Sequence, residues 1–420
     1  MFEIKYIFRQ IFQLMKIYAL RIDYDLIDYE QRNISWKFSS IKRAILITLN
    51  VWITISFLLC WIILPHNDYL MSFDIFDKIF QSKRNDFITI EMIIVFVLRE
   101  CLFYHHLFEL INYKSKLTEF LMKYWHYNDN ELSTEYQNYL IQFYKKSYFI
   151  AIISYQIFRI GLFAIIIIFD YFSFNLYKCG EINLIKFIIS SICFFFYVCQ
   201  CIFIVLDSFM LLICIVFGIE FFCIRFKQLS IKSMNIFENI NQSSNRQRKL
   251  FWYQFHSKYV HLFKETQQFN QTLRDVLLFL EMMSKSLIIN CLLFYSHQTT
   301  MCMQIIITIL IFMTIFISIN ILNFRIAHLP SYNRLCWLSI HRWIARSQWL
   351  NVERKKPRNN LPLRYSLKSR LFLQSMTRNL FGFTCGRMFF ISKFKYIQMF
   401  ILNFHMAIKF YKKICLSQNK

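Results

Sequence analysis

Glycine and proline are scarce in this chain, with 5 and 4 among 420 residues. Folds that reverse the backbone every few residues rely on both, so sandwiches, barrels and collagen-like repeats are excluded. Acidic residues are also few, 25 Asp and Glu against 49 Lys and Arg, for a formal charge of +24. No His, Cys, Asp and Glu grouping has metal-site spacing, and no Ser, His and Asp set lies within an apolar stretch to support catalysis. Neither a two-fold internal repeat nor a Gly/Pro-broken helix pair marks a transporter. We therefore expect no enzyme activity, no metal and no cofactor.

What fills the sequence instead is apolar and aromatic, including 49 Phe. Seven long apolar segments stand out: 44–64, 87–109, 148–171, 185–224, 277–296, 303–323 and 386–408. At about 1.5 Å per residue, roughly 20 residues cross a hydrocarbon core of about 30 Å. Only helices and closed barrels satisfy every backbone group in lipid. The expected fold class is thus all-α, a polytopic membrane protein with seven transmembrane helices.

Basic side chains are divided unevenly among the connections. The stretches 1–43, 110–147, 225–276 and 324–385 hold most of them, with 12 Lys and Arg in the last, whereas 297–302 has none. The positive-inside rule places these four in the cytoplasm, so the N-terminus is inside and the 412–420 tail outside. That polarity is the reverse of a G-protein-coupled receptor. The chain also has no Asp-Arg-Tyr-type motif after its third segment and no Asn-Pro-x-x-Tyr in its seventh. A basic face against anionic headgroups accounts for the net charge without nucleic acid.

Lys5, Arg9 and Lys16 among Ile7, Phe8, Ile11, Phe12 and Met15 suggest an interfacial amphipathic helix within the cytoplasmic 1–43 segment. The fourth segment is long enough to be cut near Asp207. A cut would send the basic 225–276 region outside, so one long helix projecting into the cytoplasm is expected, followed by a polar loop over 234–248. Within the 225–276 region, Phe255, Leu262, Phe269 and Val276 recur seven apart with Tyr259, Thr266 and Leu273 between them, a heptad stripe leading into the fifth segment. In the basic 324–385 region, Leu367, Leu371 and Leu380 mark a second amphipathic anchor helix. Such faces pack within one subunit or join several.

The 13 cysteines form no framework; Cys199 and Cys201 read as packing, and only Cys179, Cys302 and Cys415 face the exterior. His105, His106 and Glu109 read as a cluster at the membrane interface. Sequons at Asn33, Asn241 and Asn270 lie in cytoplasmic regions and stay unmodified.

Charges inside apolar segments need partners. Arg99, Glu100, Arg159 and Lys285 fall near mid-depth, and a Glu100 pair with Arg159 or Lys285 is expected, locking the bundle. Above it, Glu91, Asp170, Tyr171, Asn290 and Tyr295 supply polar contacts for a small-molecule pocket. In the last segment, Ser392, Lys395, Gln398, Leu402, His405 and Lys409 recur every three or four residues, placing a mostly polar stripe on one face of a pore-lining helix over 386–411. Rings of Lys395 or Lys409 would oppose cations, but both sit near an end, where a lysine snorkels to the interface.

The stretch 371–411 resembles the last helix of arthropod gustatory receptors, the seven-span insect-type chemoreceptors. Thr384-Cys385-Gly386 before Phe389 fits their motif, and Asn403-Phe404 with Phe410-Tyr411 stands at the positions of their closing signature; a one-residue slip puts Lys409 at its Gln. His261-Leu262 and Phe269-Asn270 are similar to that family's approach to the fifth helix. The resemblance implies a plasma-membrane, ligand-gated, non-selective cation channel opened by a small-molecule tastant. It also implies a homo- or hetero-tetramer with related receptor subunits, pore-lined by four seventh helices, with the gate at Phe410 beside Lys409 or Tyr411. A G-protein-coupled-receptor-like or transporter-type seven-helix protein is the alternative.

An epitope fused after Lys420 should bind antibody on intact cells, and one before Met1 only after permeabilisation. The opposite pattern for either terminus would overturn the charge-derived topology.

Overall fold

The computed structural model describes residues 4–18, 21–34, 36–63, 86–125, 132–239, 245–296, 303–353, 363–378 and 381–415. In chain order the helices are α1 (Ile4–Tyr18), α2 (Leu26–Glu30), α3 (Phe38–Ile63), α4 (Asp86–Ile111), α5 (Lys116–Trp125), α6 (Thr134–Lys178), α7 (Leu184–Asn239), α8 (Asn245–Ser296), α9 (Met303–Glu353), α10 (Leu363–Arg378) and α11 (Lys393–Cys415). Between α10 and α11 lies a two-stranded hairpin, β1 (Thr384–Cys385) antiparallel to β2 (Phe389–Phe390). Among the described residues, three helices are long and apolar enough to cross a membrane, through Phe38–Cys60, Thr134–Lys178 and Leu184–Met234. Their outward residues include Phe149, Ile157, Ile160, Ile167 and Ile185. So extensive an apolar exterior suits lipid rather than water.

Helix α7 is the central post, packing on α6, α9, α1, α3 and α8. It runs unbroken through Asp207 because no Gly or Pro interrupts it there. Its lower half buries a dense aromatic set. Phe8 of α1 meets Phe221 edge to face at 5.0 Å and Phe217 at 5.6 Å, and stacks on Tyr124 of α5 at 5.0 Å. Offset and edge-on ring pairs add about 0.5–1.5 kcal/mol each beyond the area they bury. The polar stretch over 234–248 is less of a loop than expected: α7 continues to Asn239 and α8 starts at Asn245.

The N-terminal segment also departs from expectation. Ile4, Ile7, Phe8, Ile11, Phe12 and Met15 are buried in the main core, so the apolar face of α1 rests on protein and not in the lipid interface. Covering it this way removes the same apolar area from water, with rings already waiting on α7.

In α8 the heptad stripe is buried within the subunit: Phe255, Tyr259, Leu262, Thr266, Phe269 and Leu273 all lie in the core. Phe269 crosses α7 at Gly218, where an added Cβ would stand 2.5 Å from the ring's Cζ. Glu265 on the same helix accepts from Arg225 at 2.6 Å and faces Lys123 at 2.9 Å and His261 at 3.6 Å. Burial opposes charge on Glu265, but Arg225, Lys123 and His261 together outweigh it and hold the carboxyl below its usual range. This cluster ties α5, α7 and α8 together beneath the aromatic layer.

The sixth-to-seventh connection is more ordered than a loop. Helix α9 continues to Glu353 with Pro330 inside it. In α10 the buried face carries Ser369, Leu373 and Met376, whereas Leu367 and Leu371 point outward, opposite to the face expected from leucine spacing. Leu380 lies outside the described residues. The start of the last segment is corrected too. Residues 386–392 belong to the hairpin and its exit, and the helix begins at Lys393.

That hairpin is a latch onto α8. The Asn270 side chain accepts from the Thr384 backbone N–H at 2.8 Å, and the Gly386 N–H donates to the Arg274 carbonyl at 2.8 Å. Gly386 has φ +57, and a Cβ there would lie 2.9 Å from Leu278 Cδ2. A side chain in the left-handed region costs about 1–3 kcal/mol before any clash. Gly386→Ala should therefore lower the melting temperature of the detergent-solubilised protein by several degrees, as should Asn270→Ala. Unchanged melting in both variants would refute the latch.

Candidate functional site

Helix α11 carries the sequence-derived pore stripe. Lys395, Gln398, Leu402, His405 and Lys409 are all exposed on it. Ser392 does not join them: it precedes the first turn, its Oγ accepts from the Lys395 N–H at 3.3 Å, and it caps the helix. Lys395 Nζ donates to Gln398 Oε1 at 3.0 Å along the exposed face. Asn403 is on the opposite side, 2% exposed, and its Oδ1 has no partner among the described residues. Phe404 is exposed; Phe410 and Tyr411 fall within the helix, but their side chains lie outside the described set.

The apolar residues of α11 are exposed as well. Phe394, Ile397, Ile401 and Ile408 are uncovered, and only a narrow strip around Met399 and Asn403 turns inward. That strip rests on α8 and α9, with Tyr396 against Phe324 at 5.7 Å between ring centres. Most of the helix circumference is therefore left uncovered by the described residues of its own chain.

Beneath these helices lies a network of buried charges that differs from the expected one. Glu100 of α4 pairs with neither Arg159 nor Lys285. It accepts from both terminal nitrogens of Arg21, at 2.6 and 3.1 Å, with both side chains almost fully buried. Arg21 sits in the connection after α1 with φ 54, donates to Thr48 of α3 at 3.2 Å, and stacks its guanidinium over Phe103 at 4.3 Å. Arg99 bridges from α4 to Asp207 of α7. Planar guanidinium forks suit such two-point contact with carboxylates. Arg159 is exposed over the Tyr155 ring at 6.0 Å, and Lys285 faces Glu281 one turn before it at 3.4 Å. Glu281 also accepts from Asn323 of α9 at 3.2 Å.

Residues that the sequence reading left unpaired thus complete the network: Arg21, Asp207 and Glu281. Asp207 and Glu281 were visible as acids inside apolar segments, a signal in themselves. Arg21 carried no such signal, because it lies 79 positions from Glu100 in a segment assigned to the cytoplasm.

The polar groups expected of a ligand pocket divide. Asp170 points inward with Oδ1 buried and unpartnered among the described residues, whereas Tyr171 is exposed. Ser173, one turn beyond Asp170, is fully buried with Oγ likewise unpartnered, and so is Ser191 Oγ on α7. The same helix pair is held by Phe169 against Phe194, with ring centres 4.1 Å apart. Unsatisfied buried hydroxyls and carboxylates are rare, and each wants a partner. The Glu91, Asn290 and Tyr295 side chains lie outside the described residues, so the five are not shown to converge.

No family model and no curated protein matches the sequence. A solved structure does. The insect olfactory receptor OR5 from Machilis hrabei, determined in complex with eugenol, superimposes with a TM-score of 0.56. The match covers 98% of each chain at 9% identity. The fold is that of an insect olfactory receptor. At that identity side chains do not carry over, but the olfactory-receptor fold is shared along nearly the whole length, from α1 to α11.

In this receptor fold, removing Arg21 strands Glu100 without its bidentate partner, a loss worth about 3–5 kcal/mol for a buried pair. Arg21→Ala should sharply reduce the folded, detergent-stable fraction on size-exclusion chromatography. Arg21→Ala with Glu100→Gln should recover part of it. Equal yields for wild type and Arg21→Ala would show that the pair is dispensable.

Proposed function

We propose that this chain is a chemoreceptor of the gustatory-receptor type, a ligand-gated non-selective cation channel of the plasma membrane opened by a small-molecule tastant. The observation that carries this reading is the uncovered circumference of α11, which combines exposed apolar residues with the polar row Lys395, Gln398, His405 and Lys409. Polar side chains on a helix within a membrane turn toward water or protein. Four copies around an axis would meet both needs, with the apolar flanks on neighbouring subunits, Gln398 and His405 on a water-filled path, and Lys395 and Lys409 reaching to the two interfaces. Leu367 and Leu371 of α10 offer a second outward apolar contact at the anchor. The olfactory-receptor fold and the Thr384-Cys385-Gly386 motif support the same reading. Seven spans, an inside N-terminus, homo- or hetero-tetrameric assembly and the gate at Phe410 with Lys409 or Tyr411 belong to this proposal.

The tastant would sit between α6 and α7, where Asp170, Ser173 and Ser191 hold polar atoms with no partner among the described residues, beside Phe169 and Phe194. An apolar wall with few polar groups is the usual composition of a small-molecule site.

Whole-cell recording with a tastant panel tests this. Ligand-evoked current in cells without G-protein signalling is expected, and Asp170→Ala should weaken the response about tenfold or more, the worth of a buried hydrogen bond to a charged group. Lys395→Gln and Lys409→Gln should each leave cation selectivity unchanged, because these lysines reach to the interfaces; altered selectivity would place them in the pore. A monomeric particle without a central axis, or persistent absence of current with surface-expressed protein, would overturn the channel.

A further inference from the structure

A cavity of about 230 Å³ lies where α6, α7 and α9 meet, at the N-terminal end of α6 and remote from Asp170 near its other end. Its lining carries charges of both signs. Glu135 and Glu220 oppose Lys227 and Arg325, and the phenol rings of Tyr136 and Tyr332 complete the walls. Glu220 is buried, accepts from the Tyr139 hydroxyl at 3.0 Å, and lies 3.9 Å from Arg325. The Arg325 side chain stays half exposed at 53%, so most of its donors are uncommitted to that carboxylate. Lys227 Nζ sits over the Tyr136 ring at 6.0 Å.

The level of the cavity is as informative as its charge. The apolar run of α7 ends at Ile224 just before Arg225 and Lys227, and that of α9 ends at Asn323 just before Arg325 and His328. Two helices therefore pass from apolar to charged composition at the cavity mouth. In the topology proposed above, on which this placement rests, that is the cytoplasmic headgroup layer.

We propose that this cavity binds a zwitterionic phosphate ester bearing a terminal ammonium, the headgroup chemistry of phosphatidylethanolamine and phosphatidylcholine. The phosphate would meet Arg325 and Lys227, whose donors suit a tetrahedral oxyanion. The ammonium would meet the Glu135 and Glu220 carboxylates and the face of Tyr332. Burial, with Lys393 and Arg325 nearby, lowers the His328 pKa from its usual value and so favours the neutral ring. A purely anionic headgroup would face two carboxylates with nothing to offer them, which disfavours it relative to the zwitterion.

Native mass spectrometry of the full chain, reconstituted in nanodiscs with equimolar phosphatidylethanolamine and phosphatidylglycerol of identical acyl chains, tests the site. Phosphatidylethanolamine should be enriched about fivefold or more among retained lipids, equivalent to about 1 kcal/mol. Arg325→Gln and Lys227→Met should each bring the ratio toward one. Equal retention of the two lipids by the wild type, or preference for phosphatidylglycerol, overturns the proposal, and this comparison stands even if Arg325→Gln fails to fold. Added O-phosphorylethanolamine that displaces the lipid at equal concentration assigns the site to a water-soluble zwitterion, whereas failure to displace assigns it to the lipid. Lipid selectivity is read without current, so a silent channel does not affect the result.

Discussion

A charge held in a low-dielectric bundle has to be matched, and in this receptor fold the matching fixes where the whole N-terminal segment goes. Glu100 lies 1% exposed in α4, and its two oxygens are met by Arg21 from beyond the end of α1. With Arg99 paired to Asp207 on the same level, α4, α7 and the N-terminal segment share one neutral set of four charges. Buried ion pairs contribute little net stability against an apolar alternative, but a wrong arrangement leaves a charge unpaired and costs several kcal/mol. The network therefore acts chiefly on uniqueness. It permits one docking of α1, the one in which Phe8 falls among Phe217, Phe221 and Tyr124.

From that fixed half of the molecule the structure passes to its least covered element through a short covalent route. The hairpin at 384–390 is bound to α8 by Asn270 and by the Arg274 carbonyl, and Ser392 caps α11 two residues after it. Because α8 itself is buried along Phe255, Leu262 and Phe269, the base of α11 is anchored rigidly while its sides stay open. Among the described residues the helix is held at its foot and along a narrow strip, which leaves the rest of its described surface open to other chains or to water.

Much of this organisation is legible from residue order because it is local. Helicity follows from apolar periodicity and from the near absence of Gly and Pro, and the stripe over 255–273 shows which side of α8 is buried. The polar row on α11 is readable for the same reason, since residues three and four apart share a face. Local spacing misleads in α10, where Leu367 and Leu371 mark an apolar face that the fold leaves outside while Leu373 and Met376 go in. Ser392 is a similar case: its register matches the stripe, yet it stands one residue ahead of the helix and caps it.

By itself the sequence determined an all-helical chain with long apolar segments, basic residues gathered in every other connection and a polar row near the C-terminus. These depend on composition and short-range period alone. Only the tertiary structure decided that Arg21 reaches Glu100 across 79 positions, that Arg99 meets Asp207 across 108, and that the Thr384-Cys385-Gly386 motif closes on α8. The reason is that pairing between distant charges and the burial of one helix face over another are properties of the packed arrangement. Several partners satisfy the same residue locally, and the close-packed interior selects one.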